Sequence, residues 1–184
     1  MIQDIQSYTP TSSDKFLIDT NVLLFLYCPL GNYQQFIIQK YSSFFNDMVN
    51  AGSTLYISSQ ILSEFINVYL RLDFKIFQNQ SGNSGAIYKR DYRSSARFGP
   101  TVAALVNTLN NQVFNVVQKL DDNFANISAS NILSNIDKID HNDAYYAELV
   151  AGTGIKVLTD DKDYEIYKTT HEIFTGNPRL ISAR

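Results

Sequence analysis

Tryptophan is absent from the 184 residues, cysteine occurs once, and histidine and methionine occur twice each. The lone Cys28 excludes an internal disulfide framework and fits a reducing compartment. His141 and His171 stand too far apart to form a histidine metal site of their own. No uninterrupted apolar run approaches the roughly 18 residues that a membrane span needs. The opening MIQDIQSYTPTSSDK has no basic segment leading into an apolar one, so it does not read as a secretory signal. The expectation is a cytoplasmic protein with no membrane partner. Charge is scarce too, at 18% of residues with a net charge of −3. That balance argues against a chain that coats nucleic acid with its whole surface. A local site stays open, because acids gathered in one metal pocket would leave the remainder near neutral.

What is present is a globular composition, with 45% hydrophobic residues and 12 each of Tyr and Phe. The length fits one domain over residues 1–184 with a substantial core. Residues 1–14 are polar and Ser/Thr-rich and read as a loose lead-in. FLID, 16–19, reads as a first strand. Residues 33–50 carry Ile37, Tyr41, Phe44 and Met48 at helical spacing. TLYIS, 54–58, is a second short strand. A helix led by Ser58 or Ser59 then runs to about Leu72, its apolar face being Ile61, Phe65, Val68 and Leu72. Residues 73–100 show no clear period and read as a loop-rich insertion, with room for a short helix over 86–97. A long helix follows Pro100, with Val102, Val106, Leu109, Val113, Val116 and Leu120 on one face. DHNDAYYAELVAGTG starts a helix near Asp140 and ends it at Gly152 or Gly154. IKVLT is a strand, DYEIYK a short helix and EIFTG a last strand.

Strands alternating with helices predict an α/β fold with a mainly parallel sheet. In such sheets the working site lies outside the carboxyl ends of the strands. Asp19 ends the first strand, and Asp160–Asp161 follow the strand that closes at Thr159, so both lie at one sheet edge. Glu64 stands in the second turn of the helix after TLYIS, and Asp143 in the first turn of the HNDAYYAELV helix. Helices entered from strand carboxyl ends begin over that same edge. Four carboxylates from four distant segments would therefore meet, and they repel unless protons or metal ions neutralise them. Hard oxygen donors in this number suit Mg²⁺ or Mn²⁺, ions that favour phosphodiester hydrolysis. Each acid also has a plainer reading. Asp19 could cap a turn, Glu64 could share a solvated face with Gln60, Asn67 and Arg71, and Asp143 could serve a helix N-terminus. Of Asp160, Asp161 and Asp163, at least one reads as a cap or solvated; Asp161 is taken for the site and Asp163 next.

FLIDTNVLL, YISSQILSEF, DHNDAYYAELV and KVLTDDKDY together resemble, in order and spacing, the four signature blocks of the PIN-domain family of metal-dependent ribonucleases. The blocks span 16–164. The resemblance implies a three-layer fold with a central five-stranded parallel sheet between helices. It implies an acidic quartet of Asp19, Glu64, Asp143 and Asp161, with Asp163 as a further metal-site acid. Thr20 and Asn21 would support the first acid, and Thr159 supplies the hydroxyl before the last ones. The size resembles the VapC-like toxins of bacterial type II toxin–antitoxin pairs, which cleave RNA, often dimerise and are held inactive by an antitoxin. The chain is longer than the compact toxins, and the excess falls in 73–100. That insertion holds Lys75, Lys89, Arg90, Arg93 and Arg97, interleaved with Tyr88, Tyr92 and Phe98. Cations beside rings are the composition of a single-strand RNA surface; an ordinary solvated loop is the plainer reading.

The expected function is a Mg²⁺- or Mn²⁺-dependent endoribonuclease. Asp19, Asp143 and Asp161 would ligate one or two ions, and Glu64 would act as a ligand or as base for the attacking water. The alternative is a PIN-fold RNA- or protein-binding module without chemistry. A phosphatase-like domain is disfavoured, because Asp19-Thr20-Asn21 has no second acid two residues on.

Overall fold

The computed structural model describes residues 1–80 and 82–183. Ser81, inside the expected insertion, and Arg184 lie outside the described residues. In chain order the elements are β1 (Ile2–Asp4), β2 (Lys15–Ile18), α1 (Thr20–Tyr27), α2 (Gln35–Asn50), β3 (Thr54–Ile57) and α3 (Ser59–Gln78). They continue with α4 (Phe98–Thr108), α5 (Phe114–Val116), β4 (Gln118–Lys119), α6 (Ala129–Leu133), α7 (His141–Val150), β5 (Lys156–Leu158), β6 (Ile173–Thr175) and α8 (Pro178–Ile181). The strands form one six-stranded parallel sheet in the order β1-β6-β5-β2-β3-β4, with helices on it. Phe16, Leu17 and Ile18 of the central β2 are fully buried, as a strand covered on both faces requires. Leu17 registers with Tyr56 on one side and Val157 on the other, so Ile18 and Leu158 end level. That register sets Asp19 beside Thr159.

Six strands replace the expected five. β1 and the two-residue β4 extend the sheet at its two edges. The loose lead-in is corrected as well. β1 pairs in parallel with β6, and Asp14 is buried where Lys156 of β5 reaches it at 2.5 Å. Asp14 also accepts from the Thr11 N–H at 2.7 Å and the Tyr8 hydroxyl at 3.0 Å. Burial would raise the Asp14 carboxyl, yet Lys156 and these donors hold it below the usual range. Lys156 itself lies 4.9 Å from the Tyr8 ring centre.

The 73–100 segment is less loop-rich than expected. α3 continues through it to Gln78, and a π-turn covers Tyr88–Tyr92. The cause is a buried charge. Asp73 is 1% exposed and takes Arg97 Nη2 at 2.5 Å, the Tyr92 hydroxyl at 2.7 Å and the Thr101 hydroxyl at 2.8 Å. Around it Phe74, Phe77, Tyr88 and Phe98 ring the buried Tyr92, with ring centres 5.2–5.6 Å from it. The long helix after Pro100 is broken by a π-turn over Leu109–Val113. Its buried positions are Leu105, Leu109 and Val113, while Val106 is exposed, which corrects the expected stripe. On α3 the buried face is Ile61, Phe65, Tyr69 and Asp73 rather than one through Val68 and Leu72. No helix among the described residues is long and apolar enough to cross a membrane.

Candidate active site

Asp19 is the residue at which β2 turns into α1. Its backbone N–H still donates to Leu158 O at 3.0 Å, and its φ of −68° and ψ of 155° are those of an extended N-cap. The carboxylate is fixed from two sides. Oδ1 accepts from the Thr20 N–H at 2.6 Å. Oδ2 accepts from Asn21 Nδ2 and the Thr159 hydroxyl, both at 2.6 Å. Asn21 also receives the Asp160 N–H on Oδ1 at 3.0 Å, so one amide ties the ends of β2 and β5 together. The Thr159 hydroxyl in turn accepts from the Asp161 N–H at 2.9 Å.

Glu64 comes in from α3, whose N-terminus Ser58 caps by accepting from the Ile61 N–H. Oε2 takes three donors: the Thr20 hydroxyl at 3.0 Å, the Tyr146 hydroxyl at 3.1 Å and Asn142 Nδ2 at 3.2 Å. No hydrogen bond reaches Oε1 among the described residues. Thr20 is thus a bridge, its N–H on Asp19 and its hydroxyl on Glu64. Asp143 sits in the first turn of α7, half-buried, with the Tyr164 hydroxyl as its polar neighbour. Asp161 caps a 3₁₀ turn over Lys162–Tyr167, accepting from the Asp163 N–H at 2.9 Å.

The electrostatics show which of these acids share a space. Burial pushes the Asp19 carboxyl up to about 7; Thr159 and Thr20 oppose that, and the charges of Glu64 and Asp161 add to it. Burial also pushes Asp143 up to about 8, reinforced by Asp19, Asp161, Glu64 and Asp140. The structure therefore brings Asp19, Glu64, Asp143 and Asp161 within electrostatic reach of one another at the sheet's carboxyl edge. Asp163 is not among the leading influences on Asp19 or Asp143; its side chain is exposed beside Lys138 and Lys162. Asp160 faces the other way, with its Oδ1 2.7 Å from the Tyr41 hydroxyl. Among the described residues the ion pairs involve other acids, and no Lys or Arg pairs with any of the four.

The donor set fits a hard divalent cation in type and charge: four carboxylates, no compensating side-chain cation, two of the acids driven towards protonation. Tyr164 is fully buried against Asp19, Asp143 and Tyr146, with its OH beside the Asp143 carboxyl. The spacing is a separate matter. Among the described residues no three acid, His or Cys side chains stand so as to hold one ion directly. Closing the group falls to Asp143, which has at most the Tyr164 hydroxyl to hold it, since Asp19 and Glu64 are already immobilised by three donors each.

Of the basic residues expected to meet RNA, Arg97 has another use, as the partner of the buried Asp73. Arg90 pairs with Asp91 on the surface, Arg93 lies 5.7 Å from the Phe98 ring centre, and Lys75 and Lys89 are exposed. They stand towards the far end of α3, with Lys75 about 16 Å from Glu64 along the helix axis. Sequence reading missed Asn142, Tyr146 and Tyr164. Their signal is only their position: one residue before and three after Asp143, and one after Asp163.

No protein-family model matches the sequence, and no curated protein matches it. Among solved structures, the fold is similar to that of VapBC2 from Rickettsia felis bound to a DNA fragment from their promoter. The similarity has 13% identity and a TM-score of 0.48, and it covers 86% of this chain and 96% of that one.

Proposed function

We propose that the chain is a divalent-metal-dependent endoribonuclease of PIN type. The observation that carries this reading is the meeting of Asp19, Glu64, Asp143 and Asp161, from four separated segments, with no side-chain cation paired to any of them among the described residues. Asp19, Asp143 and Asp161 would hold one or two Mg²⁺ or Mn²⁺ ions. Such an ion supplies an acidified water and charge stabilisation on the phosphodiester. The chain's own residues do the rest. Thr20, Asn21 and Thr159 keep Asp19 fixed. Thr20, Asn142 and Tyr146 hold Glu64 Oε2 and leave Oε1 to ligate or to accept a proton from an entering water. Lys75, Lys89, Arg90 and Arg93 offer a phosphate-attracting surface for longer RNA, remote from the acids.

A second reading, an RNA- or protein-binding module without chemistry, draws on the present spacing of the acids, none of which forms a ready-made trio. The two part in one assay. With Mn²⁺ or Mg²⁺ the parent should cut single-stranded RNA, and Asp19→Asn should lose that cleavage by at least about 100-fold while keeping its circular dichroism. Equal cutting by both removes the site assignment; cutting by neither leaves the binding module. The finer assignment is the toxin of a type II pair, with an antitoxin partner and a homodimeric state. It predicts that co-expression with the product of an adjacent small reading frame suppresses the cleavage.

A further inference from the structure

Beyond β4 lie Asp121 and Asp122, next to Lys119, whose Nζ is 5.5 Å from the Phe114 ring centre. Beyond β6, at the opposite end, a cavity of about 200 Å³ opens between α2 and α8. Lys40 and Arg179 line it, together with Phe36, Asn177 and Asp160. Phe36 is 58% exposed and stands one helical turn from Lys40. Lys40 is held in place by donating to Gly176 O at 2.7 Å, while Arg179 is exposed and makes no ion pair among the described residues. The cavity meets the acidic group only through Asp160, which lines it. Asp160 precedes Asp161 in the chain, and its carbonyl accepts from Asn177 Nδ2 at 2.6 Å on the cavity side. The groove on the other flank of Asp161, near Lys138 and Lys162, has cations but no ring.

We propose that this cavity is a nucleotide subsite for single-stranded RNA, adjoining the scissile bond on the β6 side. A base stacks on the Phe36 ring, and Lys40 and Arg179 receive its phosphates. The ring offers a π-face that is sequence-tolerant, and the two cations beside it neutralise the backbone phosphates. This rests on the chain being an RNA-cleaving protein, and the test separates the two.

A fluorescein-labelled single-stranded RNA octamer is titrated by anisotropy in EDTA, so that nothing is cut. Phe36→Ala should weaken binding by at least about fivefold, the lower end of base–aromatic stacking. Arg179→Ala should weaken it and flatten the salt dependence by about 0.7 in log–log slope, one phosphate contact on a single strand. Both side chains are exposed, so both variants should melt as the parent does. With Mn²⁺ present, both should raise KM with kcat kept within about twofold, the signature of uniform binding. Parent-like binding by both variants, or no binding by the parent, overturns the subsite, and the nuclease reading then stands or falls on Asp19→Asn alone. Phe36- and Arg179-dependent binding by a parent that cuts nothing keeps the subsite and removes the nuclease.

Discussion

Adding a divalent cation should stabilise this protein at alkaline pH and do nothing at acid pH. Asp19 and Asp143 have carboxyls raised from the usual 3.8 to about 7 and about 8. In the unfolded chain both ionise near 3.8, so between that value and about 8 the native state holds protons that the unfolded state has lost. The stability that these two groups contribute to the metal-free protein is therefore fully present below the unfolded value, falls as pH rises through the window, and is gone above about 8. A cation replaces those protons. At 100 times its Kd it adds about 2.7 kcal/mol, which for a chain of this size is a Tm rise of about 5–10 °C. At about pH 5.5 the ion must first displace two protons, at a cost of about 1.4 kcal/mol for each pH unit below each carboxyl's own value. That cost is about 5 kcal/mol, more than the gain, so the rise disappears. Thermal melts with and without 10 mM Mg²⁺ or about 1 mM Mn²⁺, at pH values about three units apart, read this out. Asp143→Asn should itself stabilise the metal-free protein at the alkaline end, because it removes a charge that burial and the neighbouring acids disfavour. An equal Tm rise at both pH values, or a rise that survives in both Asp19→Asn and Asp143→Asn, would refute the reasoning.

Asp73→Ala strands Arg97 and the Tyr92 hydroxyl, and should cost about 3–5 kcal/mol by urea unfolding; a loss under about 1 kcal/mol would mean that Asp73 does not organise the 73–100 segment. Lys156→Met keeps the apolar stem but leaves Asp14 buried without its cation; a loss of about 3–5 kcal/mol is expected at neutral pH. As pH falls through the native Asp14 value, which lies below the usual 3.8, that deficit should shrink because the parent loses the pair too. Thr20→Val removes the hydroxyl donor from Glu64 while leaving the backbone N–H on Asp19. It should lower kcat about tenfold with Tm changed by no more than a few degrees, and Tyr146→Phe should act in the same direction.

Much of the sheet could be read from the sequence because its inner strands announce themselves. FLI, TLYI and KVL are apolar or β-branched runs, and their neighbours α2, α3 and α7 carry a helical period with Ser58 and Asp140 at their starts. The outer strands could not be read this way. β1 is three residues with one buried side chain, and its partner lies some 170 positions away; β4 is two exposed residues. α1 escaped notice because Val22, Leu23 and Leu24 are all buried, which blurs any period. The 73–100 segment was read only in part: its short helix stands at Tyr88–Tyr92, but the run of α3 to Gln78 was not foreseen. Its order comes from one buried carboxylate and a knot of rings, a tertiary contact that no local pattern records.

The acids were legible because a charge at the end of a buried strand has few structural excuses. Their supports divide by type. Thr20, Asn21 and Thr159 adjoin the motif and stood out, whereas Asn142, Tyr146 and Tyr164 look like ordinary helix and core residues until the coordinates set them against Glu64 and Asp143. Arg97 reversed its role because the acid it serves is 24 residues upstream.

The most direct test is a crystal grown with Mn²⁺ at alkaline pH and measured at the manganese edge. The expected result is an anomalous peak bonded to Asp19 and to at least one of Asp143, Asp161 and Glu64, with the Asp143 side chain swung inward. Manganese bound elsewhere, or an occupied lattice in which the four carboxylates keep their distance and their protons, would contradict it.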